Sequence, residues 1–123
     1  MARSYEFNPE DIVTTRGTWG GSSTPATNTA CIVTLTGTAA DICLLVKHMV
    51  FSYDGAPTGG LLSVTVGGTT VLTQSITASG IGPVDIGGIV SQRIASTGVP
   101  ATIVITLAAG GASVTGYLTT FSW

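Results

Sequence analysis

A single histidine, two cysteines and a few scattered carboxylates are the strongest candidates for chemistry in this 123-residue sequence. His48 follows Lys47 inside the most apolar run, residues 42 to 53, and a histidine so placed reads as a core or interface side chain before it reads as a general base. A small hydrolase would need His48 to meet a loop carboxylate, from Asp54 or Asp85. The same two carboxylates could serve as a paired acid and base on a glycoside, or offer oxygen ligands to Ca²⁺. Asp54, however, opens the turn Asp54-Gly55-Ala56-Pro57, where an aspartate ordinarily accepts hydrogen bonds from its own backbone. Cys31 and Cys43 lie in apolar, strand-like segments and read as buried free thiols or, if their strands pair there, as a disulfide. One His and two Cys make no zinc ligand set, and no cofactor is expected. Gly80-Ile81-Gly82-Pro83-Val84-Asp85 has the glycines of a phosphate loop, but Pro83 removes an amide and no helix follows. The chain therefore reads as a protein that is not an enzyme.

The elements that would position these residues are strands. Val, Ile and Thr dominate, Gly-rich punctuation recurs every eight to fifteen residues, and no stretch keeps a helical period. From Thr29, the residues Cys31, Val33 and Leu35 alternate with Ile32, Thr34 and Thr36, as a half-buried strand requires. Residues 42 to 53 are apolar on both parities, which predicts a central strand covered on both sides. Leu62, Val64 and Val66 lead into Gly67-Gly68 and then Thr70 to Ile76, a tight hairpin whose glycines supply positive φ. Residues 78 to 83 read as a loop, and 84 to 90 as a strand interrupted by a bulge at Gly87-Gly88. Thr102 to Leu107, a turn at 109 to 112, and Val114 to Phe121 read as a last hairpin; Ile103, Ile105 and Leu107 share a face, and Tyr117 and Phe121 lie on the parity opposite Val114 and Leu118. The expected fold is an all-β, antiparallel Greek-key or jelly-roll-like β-sandwich of seven or eight strands, the eighth near Ile12 to Thr15. An open sheet would leave too much edge exposed.

Charge divides the chain unevenly. Arg3, Glu6, Glu10, Asp11 and Arg16 crowd the first sixteen residues, while the rest carries only Asp41, Lys47, Asp54, Asp85 and Arg93. Charged residues make up 8% of the sequence, where about a quarter is usual, so the surface is weakly protected against self-association. Residues 1–28 accordingly read as an extended N-terminal arm and 29–123 as one β-sandwich domain. A net charge of −2 with no Lys/Arg stripe argues against direct nucleic-acid binding. No apolar run reaches the roughly 18 residues of a membrane span, and the first residues lack a secretory signal's apolar stretch, so the chain reads as made and kept in a cytosol, or exported without a signal as part of a larger particle. Trp19 and Trp123 read either as packing over the ends of the sandwich or as anchors for a neighbour; if the arm lies across a partner, Tyr5, Phe7 and Trp19 are its expected anchors and its charges, Arg16 among them, set register there.

Two stretches carry a family resemblance. Tyr53-Asp54-Gly55-Ala56-Pro57-Thr58-Gly59-Gly60-Leu61-Leu62-Ser63-Val64-Thr65-Val66-Gly67-Gly68-Thr69-Thr70-Val71-Leu72, and the segment from Ala101 to Leu118, resemble small structural proteins of tailed-phage virions. The resemblance spans residues 42 to 121 and lies in hairpin and loop phrasing. It implies a β-sandwich virion protein, nearest to capsid decoration (cement) proteins, with the major capsid protein or another virion protein as partner. It further implies a homo-oligomer, commonly a trimer clamped over capsid joints, and a place on the capsid surface. A head-fibre, neck or tail-spike subunit shares the composition. The competing reading is a lectin-like glycan-binding module using Trp19, Tyr53, Trp123 and the loop carboxylates.

Overall fold

β-Branched residues between glycine-rich breaks build strands, and the described residues of the computed structural model contain strands and no helix. The structure describes residues 18–23, 25–39 and 43–122, with backbone alone for 18–22, 81–87 and 122. The strands are β1 (Thr18–Ser23), β2 (Cys31–Leu35), β3 (Cys43–Tyr53), β4 (Gly60–Val66), β5 (Thr69–Ile76), β6 (Gly80–Gln92), β7 (Ile103–Leu107) and β8 (Gly116–Ser122). They form two four-stranded sheets, ordered β1-β8-β3-β6 and β2-β7-β4-β5. Every pairing is antiparallel.

Alternation along the strands delivers one apolar core shared by both sheets. Cys31 and Val33 of β2, Leu62 and Val64 of β4, and Ile103, Ile105 and Leu107 of β7 lie in one buried cluster with Val46, Met49, Phe51 and Tyr53 of β3 and Leu118 of β8. The shared face expected of Ile103, Ile105 and Leu107 is this interior face, and all three are fully buried. In β8, Leu118 turns inward while Tyr117 and Phe121, on the other parity, stay exposed.

β3 explains its own apolar composition. Val46 and Met49 are both fully buried although three residues apart, because the register slips between Val46 and His48 against both neighbours. Lys47 is the extra residue of that bulge and stands exposed. Inward positions are thus Val46 before the bulge and Met49, Phe51 and Tyr53 after it. Apolar residues on both parities reflect this switch of face as well as the half-burial of Leu45, His48 and Val50 on the other side. The Gly67-Gly68 turn forms as its sequence predicts, with φ of 58° and 87° and Val66 paired to Thr69.

Three expectations are corrected. Residues 18–23, read as arm, form β1 and pair with β8; a register shift between Trp19 and Gly21 accommodates the glycines that suggested turn. Residues 80–83, read as loop, open β6 instead. β6 ends its sheet, so the amide that Pro83 lacks deprives no outer neighbour. The last hairpin does not form: β7 and β8 belong to different sheets, and the connection crosses from one to the other. That connection is too long for a tight hairpin, and it is tied to three other segments. Ala108 N–H donates to Leu61 O at 2.8 Å, Thr58 N–H to Gly110 O at 2.8 Å, and Asn28 N–H to Val114 O at 2.8 Å. The bulge expected at Gly87-Gly88 is present, since pairing jumps from His48↔Asp85 to Val46↔Ile89 and Gly88 has φ of 117°. The strand expected near Ile12 to Thr15 lies outside the described residues.

Candidate functional site

The sequence offers one histidine, and the bulge at Lys47 decides where it points. With Val46 and Met49 committed to the core, His48 is left half-buried on the outer face of its sheet. There its ring meets Phe121 of β8, its register partner, with centroids 5.8 Å apart and planes at 45°. On either side the backbone register continues the row: Phe121 pairs with Trp19 of β1, and His48 with Asp85 of β6. Tyr117, 41% exposed, and Val90, 48% exposed, extend the same face along β8 and β6 beside half-buried Leu45 and Val50. The surface is apolar and partly aromatic, with an imidazole set into it. Lys47, at the bulge, has its own interaction partner.

This row offers contact area, and by register Asp85, not Asp54, is the carboxylate residue beside His48. Asp54 lies six residues beyond His48 on the same strand direction, about 20 Å at the rise of an extended strand. A His48–Asp54 pair therefore does not assemble. Asp85, opposite His48, is as far from Asp54, well beyond the carboxylate separation that glycoside hydrolysis needs. Asp54 is instead a clamp, though not the one its turn suggests. Its carboxylate accepts the Thr115 N–H at 2.8 Å while its own N–H donates to Thr115 O at 3.0 Å, tying the end of β3 to the start of β8. Among the described residues no three His, Cys, Asp or Glu side chains gather to hold a metal.

The cysteines are free thiols on strands of different sheets, Cys31 buried and Cys43 half-buried. Burial pushes the Cys31 thiol up, against a weaker downward pull from the Ser23 side chain, which is the opposite of nucleophile activation. Tyr53, a platform residue in the glycan-binding reading, is 2% exposed and donates its hydroxyl proton to Ala108 O at 2.6 Å. Burial likewise raises its pKa. A buried ring cannot stack on a sugar.

Of the anchors read from sequence, Tyr5, Phe7, Arg16 and Trp123 lie outside the described residues. Trp19 is placed by its backbone, in β1 opposite Phe121. The structure thus brings Trp19, Phe121, His48 and Asp85 into one register row, and keeps Asp54 and Tyr53 away from it. Tyr117 and Phe121 are surface aromatics that the sequence reading separated from Leu118 without assigning them a contact role. Their signal was present in the parity of the last strand, where both aromatics oppose the core-facing Leu118. No protein-family model matches the chain, and no curated protein does.

Proposed function

We propose that this chain is a structural protein of a tailed-phage virion, binding and stabilising the capsid as a decoration protein through subunit and capsid contacts, with no catalytic step. The observation that carries the reading is the strand order. Sheets ordered β1-β8-β3-β6 and β2-β7-β4-β5 correspond to the winding of an eight-stranded jelly-roll sandwich, an architecture used by viral coats and lectins. Between those two uses the side chains favour the coat. Tyr53 is buried, Asp54 is engaged in a backbone clamp, and the exposed row around Phe121 and Tyr117 offers broad contact instead of a sugar pocket. Only 8% of the sequence is charged, which favours apolar and hydrogen-bonded contact, in a homo-oligomer for which a trimer is the favoured form.

The test is co-sedimentation with capsids of the encoding phage assembled without this chain. Saturable binding at one site class is expected, weakened at least tenfold by Phe121→Asp on the outer face. Capsids that pellet without the protein at micromolar concentrations would remove the decoration role.

A further inference from the structure

We infer that β5 is a self-complementary edge on which a second copy of this chain docks, the two β5 strands running antiparallel about a two-fold axis through Gln74. Among the described residues β5 ends its sheet, with β4 as its neighbour on the inner side. Which of its peptide groups face outward follows from β4. Leu61 O accepts the Ala108 N–H at 2.8 Å, and Gly67 N–H donates to Thr102 O at 2.9 Å, so the odd-numbered residues of β4 turn their backbone groups toward β7. In an antiparallel ladder a residue directs its N–H and C=O to the same side, and the side alternates along the strand. Leu61 and Ser63 therefore turn away from β5. Their register partners Ser75 and Thr73 turn both groups to the open edge, while Leu72, Gln74 and Ile76 complete the ladder with Val64, Leu62 and Gly60. Gln74 Nε2 donates to Ser75 O at 3.2 Å, a side chain covering a carbonyl that faces outward.

The occupant is set by the sequence of the edge. Leu72-Thr73-Gln74-Ser75-Ile76 has the same pattern read in either direction from Gln74: a hydroxyl residue on each side, then an aliphatic one. Antiparallel pairing about Gln74 places Thr73 against the partner's Ser75, so the outward groups of both residues form four N–H···O=C bonds across the axis. Leu72 meets the partner's Ile76. Both are half-buried and packed on the core, so their contact extends the interior across the junction. Gln74 meets its own copy, exchanging its bond to Ser75 for an amide contact across the axis. β5 contains no charged residue, so two copies approach without like-charge repulsion. The bulge of β5, where Val64↔Leu72 gives way to Thr65↔Thr70, falls at Val71, just outside the paired segment. The inference stands on β5 and not on the virion reading.

The test is the absolute mass of the full chain by light scattering through the micromolar range. The wild type is expected at twice 12.3 kDa, or at an even multiple if a threefold axis is also present. Gln74→Lys and Gln74→Glu each put two like charges on the axis and should halve the mass. An equimolar mixture of the two variants should restore it, because residue 74 then faces the opposite charge. Circular dichroism confirms that each variant folds. Thr73→Pro, whose lost N–H points away from β4, supplies an independent variant with the same expected halving. A wild type that stays at 12.3 kDa, variants that keep the wild-type mass, or a mixture that stays at half mass would each overturn the two-fold axis at Gln74.

Discussion

Among the described residues β5 and β6 each end a sheet, and they end it in opposite ways. β6 contains Pro83, which has no amide to offer, a bulge around Gly88, and Asp85 along its length. These are the usual devices that stop a sheet from growing. β5 has neither proline nor charge, and its exposed residues are Thr, Val, Gln and Ser. Because the chain has only 8% charged residues, the few it possesses carry information by position. The β6 end of one sheet is closed to further strands; the β5 end of the other presents backbone groups in a pattern that repeats itself under a two-fold rotation.

The two edges differ first in how they depend on the core. Leu62 lies fully buried on β4, the strand that holds β5 in place. Leu62→Ala should cost about 3 kcal/mol of unfolding free energy in a urea titration, the range of a large cavity in a packed core. Hydrogen exchange in β5 should rise along with it, while β6 responds through global unfolding alone.

A smaller effect separates the two edges at their glycines. A Cβ on Gly60 would sit 2.6 Å from Ile76 O, the backbone at the end of β5, and 2.9 Å from Pro57 Cγ. Gly60→Ala should therefore cost about 2 kcal/mol, as overpacking against backbone does. It should also weaken dimerisation, by shifting the strand that carries Gln74. Gly88 has a φ of 117° on the β6 side, where an alanine is strained by about 1 to 2 kcal/mol. Gly88→Ala should lower the melting temperature and leave the assembly mass unchanged.

The smallest effect is a dependence on pH. Burial raises the pKa of both Cys31 and Tyr53, so their folded values lie above their unfolded ones. The associated stability is fully present below the unfolded pKa and is lost as pH rises through the folded value. For the thiol, the loss begins near its ordinary value of 9.0. Melting temperature should fall from that pH upward, and fall less steeply in Cys31→Ala. Equal slopes in the two proteins would show that the thiol does not drive it. Cys31 packs by Gly116 at the start of β8, away from the β5 edge, so the dimer should keep its mass until the fold itself melts.

Much of this was legible in the sequence wherever a period of two met a core on one side. Cys31 and Val33, Ile103 to Leu107, and the Gly67-Gly68 hairpin needed no tertiary information. β1 was read as arm because Thr18 to Ser23 has no apolar alternation; its place comes from hydrogen bonds to β8, which composition does not encode. The false hairpin at the end came from two good strands separated by glycines. Val114, 8% exposed, was the sign that the connection passes over the core instead of turning in solvent. The face of His48 was hidden by the bulge at Lys47, since a one-residue slip exchanges the two sides of a strand. The β5 edge was hidden for a different reason: strand order is a long-range property, and nothing local marks Thr69–Ile76 as the end of a sheet.

β8 lies between β1 and β3, so the first described strand waits for the last before it has a neighbour. On a ribosome making roughly 5 to 20 residues per second, β1 stays without that neighbour for several seconds after it emerges. The β4–β5 hairpin, by contrast, closes on a two-glycine turn within microseconds of its synthesis. The β5 edge is therefore formed before the sheet that ends in β1. What local sequence builds is thus ready early, and what depends on long-range pairing closes last.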